Sequence, residues 1–363
     1  MNRLGVIRCS VAAVLFGISA PAASRLAGDL GAFTLAGLLY LGAALAVLPV
    51  VHRTPVTISS IRRGAPRLAS AVVVGGAVGP VLLMAGLANT SAASASLLLN
   101  LELVFTTVLA YFVFHEHVGN RVVVGTVLVV IAGATLGWSG DADLRWGAVL
   151  IAGACLCWGI DNCITATLDE LAPSHITLAK GVVAGGANLA IGLVIDGAPS
   201  PGPVLAALVV GGFGYGLSIT LWVAGARDLG AARGQLVFAT APFVGAFVAW
   251  TVFAEPVASR QVVSLLIAAA GVSFVLRSSH EHEHTHDEIE HDHEHTHDDG
   301  HHHHHHHHQH AHADDHERDH DQAAGSVASV GSLRHQHTHH HSPLRHSHPH
   351  VPDLHHRHDH SHA

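Results

Sequence analysis

Charge is scarce over most of this chain. Residues 1–277 hold 14 Lys or Arg, 11 Asp or Glu and 4 His, too few to cover the surface of an ordinary soluble domain. Cysteine is equally thin. Cys9, Cys155, Cys157 and Cys163 lie in apolar context without CxxC spacing, so neither a zinc site nor a disulfide framework of the small secreted kind is expected. They read as small residues at helix contacts. The sequence also lacks a nucleotide-binding loop, a covalent nucleophile arrangement and a compact catalytic metal motif, so no enzyme is expected. Nor is a nucleic-acid partner.

Long apolar runs take the place of these features. Crossing a hydrocarbon core of about 30 Å needs roughly 17–25 residues. The runs place spanning helices at 9–27, 32–51, 68–88, 92–114, 119–138, 147–167, 176–196, 203–224, 234–254 and 258–276. The start of the chain superficially resembles a signal peptide, but the many apolar segments that follow make it a first spanning helix. Strands crossing a membrane would alternate polar and apolar residues, and these segments do not.

Arginine orients the helices. With a cytoplasmic amino terminus, Arg3, Arg8, Arg53, Arg62, Arg63, Arg67, Arg121, Arg227, Arg233 and Arg277 fall inside, against Arg25, Arg145 and Arg260 outside. That bias follows the positive-inside rule and predicts both termini in the cytoplasm of an inner membrane. A repeat supports the even count. AYFVFHEHV at 110–118 and AWTVFAEPV at 249–257 are offset by 139 residues, an offset that also aligns Gly86 with Gly225 and Arg121 with Arg260. The fold class expected is all-α: ten transmembrane helices as two inverted five-helix repeats, 5–138 and 147–276, followed by a disordered tail at 278–363. Five being odd, the second repeat enters from the opposite side, an architecture that places a substrate site between the halves.

Polar groups inside the spans are costly and therefore informative. Glu102 falls near the middle of the fourth span, two positions after Asn100. It reads either as a proton-coupling or cation-contacting group, or as a neutral carboxyl that holds helices together. Asp161, with Asn162 beside it and Trp158 one turn before, lies at a depth where Lys180 of the next span could meet it. That pair reads equally as a packing device or as part of a permeation path. Pro21, Pro80 and Pro242 are expected to kink or interrupt helices. Glu116 and Glu255 lie at span ends, where a cap or gate contact is expected.

LFGISAPAASRL at 15–26, GGAVGPVLLMAGL at 75–87, SLLLNLELVFTTVLAYFVFHEHVG at 96–119, CWGIDN at 157–162 and TAPFVGAFVAWTVFAEP at 240–256 together resemble the drug/metabolite transporter superfamily. Within it, the chain resembles the EamA-type ten-helix permeases over nearly all of residues 5–276. The family pattern commonly has Glu-Pro where this chain has Glu102–Leu103; the matching proline of the second repeat is Pro242. The resemblance implies membrane transport of a small solute, often efflux, without naming the solute. The partners expected are the lipid bilayer and a small solute or metal ion, with a homodimer left open.

The tail differs from the rest. Residues 278–363 hold 33 His, 16 Asp or Glu and 4 Arg. Alternating imidazoles in a flexible chain suit transition metals. The ligands expected are His280, His282, His284, His286, His291, His293, His295 and His297; the run His301, His302, His303, His304, His305, His306, His307 and His308; and His346, His348, His350, His355, His356, His358, His360 and His362. No cofactor is required for transport, but the tail is expected to bind Ni, Zn, Co or Cu. Export of a divalent metal is then the leading reading. The alternative is an EamA-type metabolite, amino-acid or drug exporter whose tail is a metal buffer or interaction module.

Overall fold

The computed structural model describes residues 3–114, 119–137, 142–168, 171–229, 234, 237–276, 280–286, 289–295, 335–341 and 344–350. Two units are distinguished, Met1–Ser279 with Val351–Ala363, and His280–His350. The first is all-α. Its helices, called first to tenth below, are Arg3–Leu26, Ala32–Val51, Ile58–Leu87, Ala92–Leu98 with Leu101–Phe114, Asn120–Gly137, Ala142–Thr165, Pro173–Asp196, Pro201–Gly211 continuing to Leu229, Ala241–Thr251 and Ser259–Leu276. Eight, the first to the eighth, are long and apolar enough to cross a membrane, while Ala241–Thr251 and Ser259–Val275 are shorter apolar helices among the described residues. This is a multi-pass membrane protein.

Helix lies in each apolar run, but its bounds differ in places. The third helix starts at Ile58, ten residues before the run that predicted it, because apolarity and helicity are separate properties. Its extension Ile58–Ala71 is amphipathic, carries Arg62, Arg63 and Arg67, and is capped by the Thr57 hydroxyl accepting from the Ser60 N–H at 3.3 Å. Such a cap satisfies a backbone donor that the helix cannot.

Among the described residues three helices widen into π-helix, at Val72–Val78, Lys180–Ala184 and Gly212–Leu217. Pro80 follows the first of these closely. Having no N–H to offer the carbonyl of Gly76, it favours a local rearrangement of the ladder. The fourth helix breaks at Leu99–Asn100, where Asn100, Glu102 and Leu103 each donate three residues back, to Leu97, Leu99 and Asn100. The break does not need a proline at 103. Short-range bonding and the Asn100 side chain, which donates to the Leu97 carbonyl at 2.9 Å, interrupt the helix without one.

Contacts between helix ends fall into two groups. In one, Arg8 pairs with Asp228 at 2.7 Å and Arg67 donates to the Thr167 carbonyl at 2.9 Å. In the other, Arg25 donates to the Phe253 carbonyl at 2.5 Å, Thr34 donates to Asp196 at 3.3 Å, and Glu255 accepts from the Ala92 and Ala93 N–H groups at 2.9 and 3.0 Å. Glu255 is thus the cap that the sequence suggested, placing a carboxylate at a helix N-terminus. Glu116 lies outside the described residues. Between the ends the helices approach closely through glycine: Gly125 and Gly271 of the fifth and tenth helices each face the other's carbonyl, leaving no room for a methyl group. Close approach of this kind stabilises helix pairs where apolar burial contributes little.

The described residues of the second unit form four strands. His280–His286 pairs antiparallel with Leu344–His350, and Ile289–His295 with His335–His341. These strands lie in the stretch expected to lack order. His recurs at every second position over much of these strands, a period-two pattern that matches a strand rather than a helix.

Candidate functional site

Polar side chains converge where the helices lose regularity. Lys180, the only lysine in the sequence, opens the second π-helical stretch. Its ammonium donates to both oxygens of Asp161, at 2.6 and 2.5 Å. Asp161 is buried and Lys180 largely so, with side-chain exposures of 9% and 14%. Thr165 donates to the same carboxylate at 3.2 Å. Charge removed from water this far needs such complete compensation.

The first π-helical stretch forms the wall beside the pair. Widening frees its carbonyls for side chains: Gly75 accepts from the Tyr40 hydroxyl at 2.9 Å and the Trp158 indole N–H at 3.1 Å, and Ala77 accepts from Asn188 at 3.1 Å. A side chain at Gly75 would collide with the Asp161 carboxyl. We expect Gly75→Ala to cost about 1–3 kcal/mol, the usual cost of overpacking. Gly212→Ala, where an added methyl meets its nearest atom at 3.5 Å, should be close to neutral. Thermal unfolding of the detergent-solubilised protein compares the two, and equal melting temperatures would refute the collision.

Glu102 begins the second half of the broken fourth helix. Asn162 of the sixth helix donates to it at 2.9 Å and to Thr106 at 3.3 Å. Asn162 is exposed and Glu102 half-buried. Asp161 and Lys180 lie within electrostatic reach of Glu102, as do the hydroxyls of Tyr40 and Tyr215. Tyr215 comes from the third π-helical stretch, and its ring packs 6.0 Å from Tyr40 and 5.8 Å from Phe16, centroid to centroid.

Five of the six residues singled out from sequence, Glu102, Asp161, Asn162, Lys180 and Trp158, therefore share one neighbourhood. The sixth, Asn100, is buried and turned to its own helix. Tyr40, Tyr215, Thr165 and Gly75 were not anticipated. Gly75–Gly76 was visible as a pair in mid-helix, but nothing in the sequence indicated which carbonyls the backbone would release. Cys9 and Cys155 are buried free thiols, as small interface residues should be.

The EamA-like transporter family model matches this chain twice, over residues 3–137 and 145–277. The chain is similar to an uncharacterized transporter of Methanothermobacter thermautotrophicus, at 28% identity over 302 residues that cover 76% of this chain and 87% of that protein. In fold it is similar to a solved crystal structure at 15% identity and a TM-score of 0.55, covering 74% of this chain and 94% of the other.

These findings correct the metal-export reading and the metal-loaded tail. Among the described residues no group of three or more His, Cys, Asp or Glu could hold a metal ion, and the family match favours the alternative, an EamA-type transporter. His280, His282, His284, His286, His291, His293, His295, His346, His348 and His350 fall on the four strands. His297, the run His301 to His308, and His355, His356, His358, His360 and His362 lie outside the described residues. Imidazole spacing supplies donors, but coordination needs about four of them converging near 2 Å on one point, and sequence spacing alone does not establish that convergence. The chain belongs to the EamA-like transporter family, a family of transporters and not of enzymes.

Proposed function

We propose that this protein is a secondary transporter of a small organic metabolite, with its solute path at the polar cluster of Glu102, Asn162, Asp161, Lys180 and Trp158. One observation carries the reading: paired charges and freed carbonyls gather where four helices depart from regular geometry. Irregular backbone at membrane depth is tolerated where it lines a cavity or is buried in protein, and interrupted helices mark transporter binding sites.

The same reading takes the chain as ten crossings in two inverted five-helix repeats, with both termini in the cytoplasm. The two family matches support it, since each covers one half. So do the helix breaks. Turns at 99–100 and 239–240 correspond within one residue under the 139-residue offset. The two groups of helix-end contacts are also consistent with ten crossings, a reading that assigns Arg8–Asp228 and Arg67–Thr167 to the cytoplasmic side and Arg25–Phe253, Thr34–Asp196 and Glu255–Ala92 to the outside.

Accessibility labelling tests the topology. In a chain whose four cysteines are replaced, Ser59→Cys and Ser278→Cys should react only from the cytoplasmic side and Ala198→Cys only from outside. Labelling of Ser59→Cys and Ala198→Cys from the same side would refute the arrangement. Flux of amino acids, amines and organic acids in everted vesicles tests transport itself, and no protein-dependent flux across that panel would refute the function.

A further inference from the structure

Three charged side chains define the cluster, and they do not balance. Asp161 and Lys180 satisfy each other through both carboxylate oxygens and are nearly excluded from solvent. Among the described residues Glu102 has no such counter-ion. Its hydrogen-bond partner is the neutral amide of Asn162 at 2.9 Å, and the Lys180 charge within its reach is already engaged by Asp161. When all three are ionised, the neighbourhood carries one uncompensated negative charge. An ionised carboxylate away from water is favoured by a cation, and an amide dipole is a weaker substitute.

From this imbalance we propose that the transported solute is a protonated amine that binds at Glu102, in preference to an amino acid or an organic acid; the proposal rests on the transport reading above. A solute carboxylate would find the cluster's only ammonium occupied and would be repelled by Glu102. Glu102 is half-buried and its partner Asn162 exposed, whereas Asp161 and Lys180 are closed on each other. The rings of Tyr215, Tyr40 and Phe16 pack on one another, and the Tyr215 hydroxyl lies within electrostatic reach of Glu102, so an aromatic body attached to the amine suits this neighbourhood. A ring face also attracts a cation directly.

Phenethylamine, phenylalanine and phenylacetate form a matched set: one aromatic body bearing a cation, a zwitterion or an anion. Calorimetric titration of the purified full chain in detergent should show phenethylamine binding at least about tenfold more tightly than the other two, a margin of about 1.4 kcal/mol. Glu102→Gln should weaken amine binding by about the same factor without lowering the melting temperature of the unliganded protein. Glu102→Asp, which restores the charge, should recover part of the affinity. Asp161→Asn should release Lys180 and raise affinity for phenylacetate.

Tighter binding of phenylalanine or phenylacetate, no binding of phenethylamine, or amine binding indifferent to Glu102→Gln would each overturn the inference. Should Glu102→Gln fail to fold, the ranking of the three ligands on the unaltered protein decides alone. The everted-vesicle panel separates the two claims. Flux of amino acids or organic acids without amines overturns the substrate class and leaves transport standing, whereas no flux of any class removes both.

Discussion

Lys180→Ala is expected to be the most damaging single change in the helical unit. It would leave Asp161, a buried carboxylate bonded at 2.5 and 2.6 Å to the lost ammonium, without its cation. Removing one partner of a buried ion pair costs about 3–5 kcal/mol, because the survivor stays desolvated and unpaired. Thermal unfolding in detergent should show that loss, and vesicle flux should fall to background. The double change Asp161→Leu with Lys180→Met separates a packing role from a transport role. Apolar side chains of similar size often replace a buried pair with little cost, so stability should largely return while flux does not. Recovery of both would make the pair a packing device only.

Glu102→Gln should show the opposite division. Glutamine keeps the size of the side chain and an oxygen to accept from Asn162, whose amide lies 2.9 Å from the carboxylate. Insertion and melting temperature should therefore survive. Flux should drop by about tenfold or more, because the charge that makes an intramembrane carboxylate useful has gone. Intact flux with reduced expression would instead identify Glu102 as structural.

Much of this was legible in the sequence because membrane constraints are severe. Apolar runs of spanning length located the helices, and the scarcity of charge within them left few residues that could form a polar site. Glu102, Asp161 and Lys180 stood out on cost alone, and the depth of Asp161 and Lys180 in neighbouring spans suggested that they meet. The backbone was less legible. Widening at Val72–Val78, Lys180–Ala184 and Gly212–Leu217 has no hydropathy signature, and neither has the access of Tyr40 and Trp158 to the Gly75 carbonyl. The break at Leu99–Asn100 is hidden for a related reason: it comes from local bonding and the Asn100 side chain, not from a proline. The tail misled in another way. Histidine density described which donors were present, but not whether three of them face one point.

Asn162 is the position where a solute path can be told from a lipid-facing or merely structural patch. It is exposed and bonded to Glu102. The direct measurement is the reaction of Asn162→Cys, in a chain whose four native cysteines are replaced by alanine, with a water-soluble maleimide in intact membrane vesicles. If the cluster lines the path, the introduced thiol reacts with this reagent, and the solute that the protein transports best slows the reaction. If the thiol resists the water-soluble reagent yet reacts with a lipid-soluble one, Asn162 faces the bilayer and the path lies elsewhere.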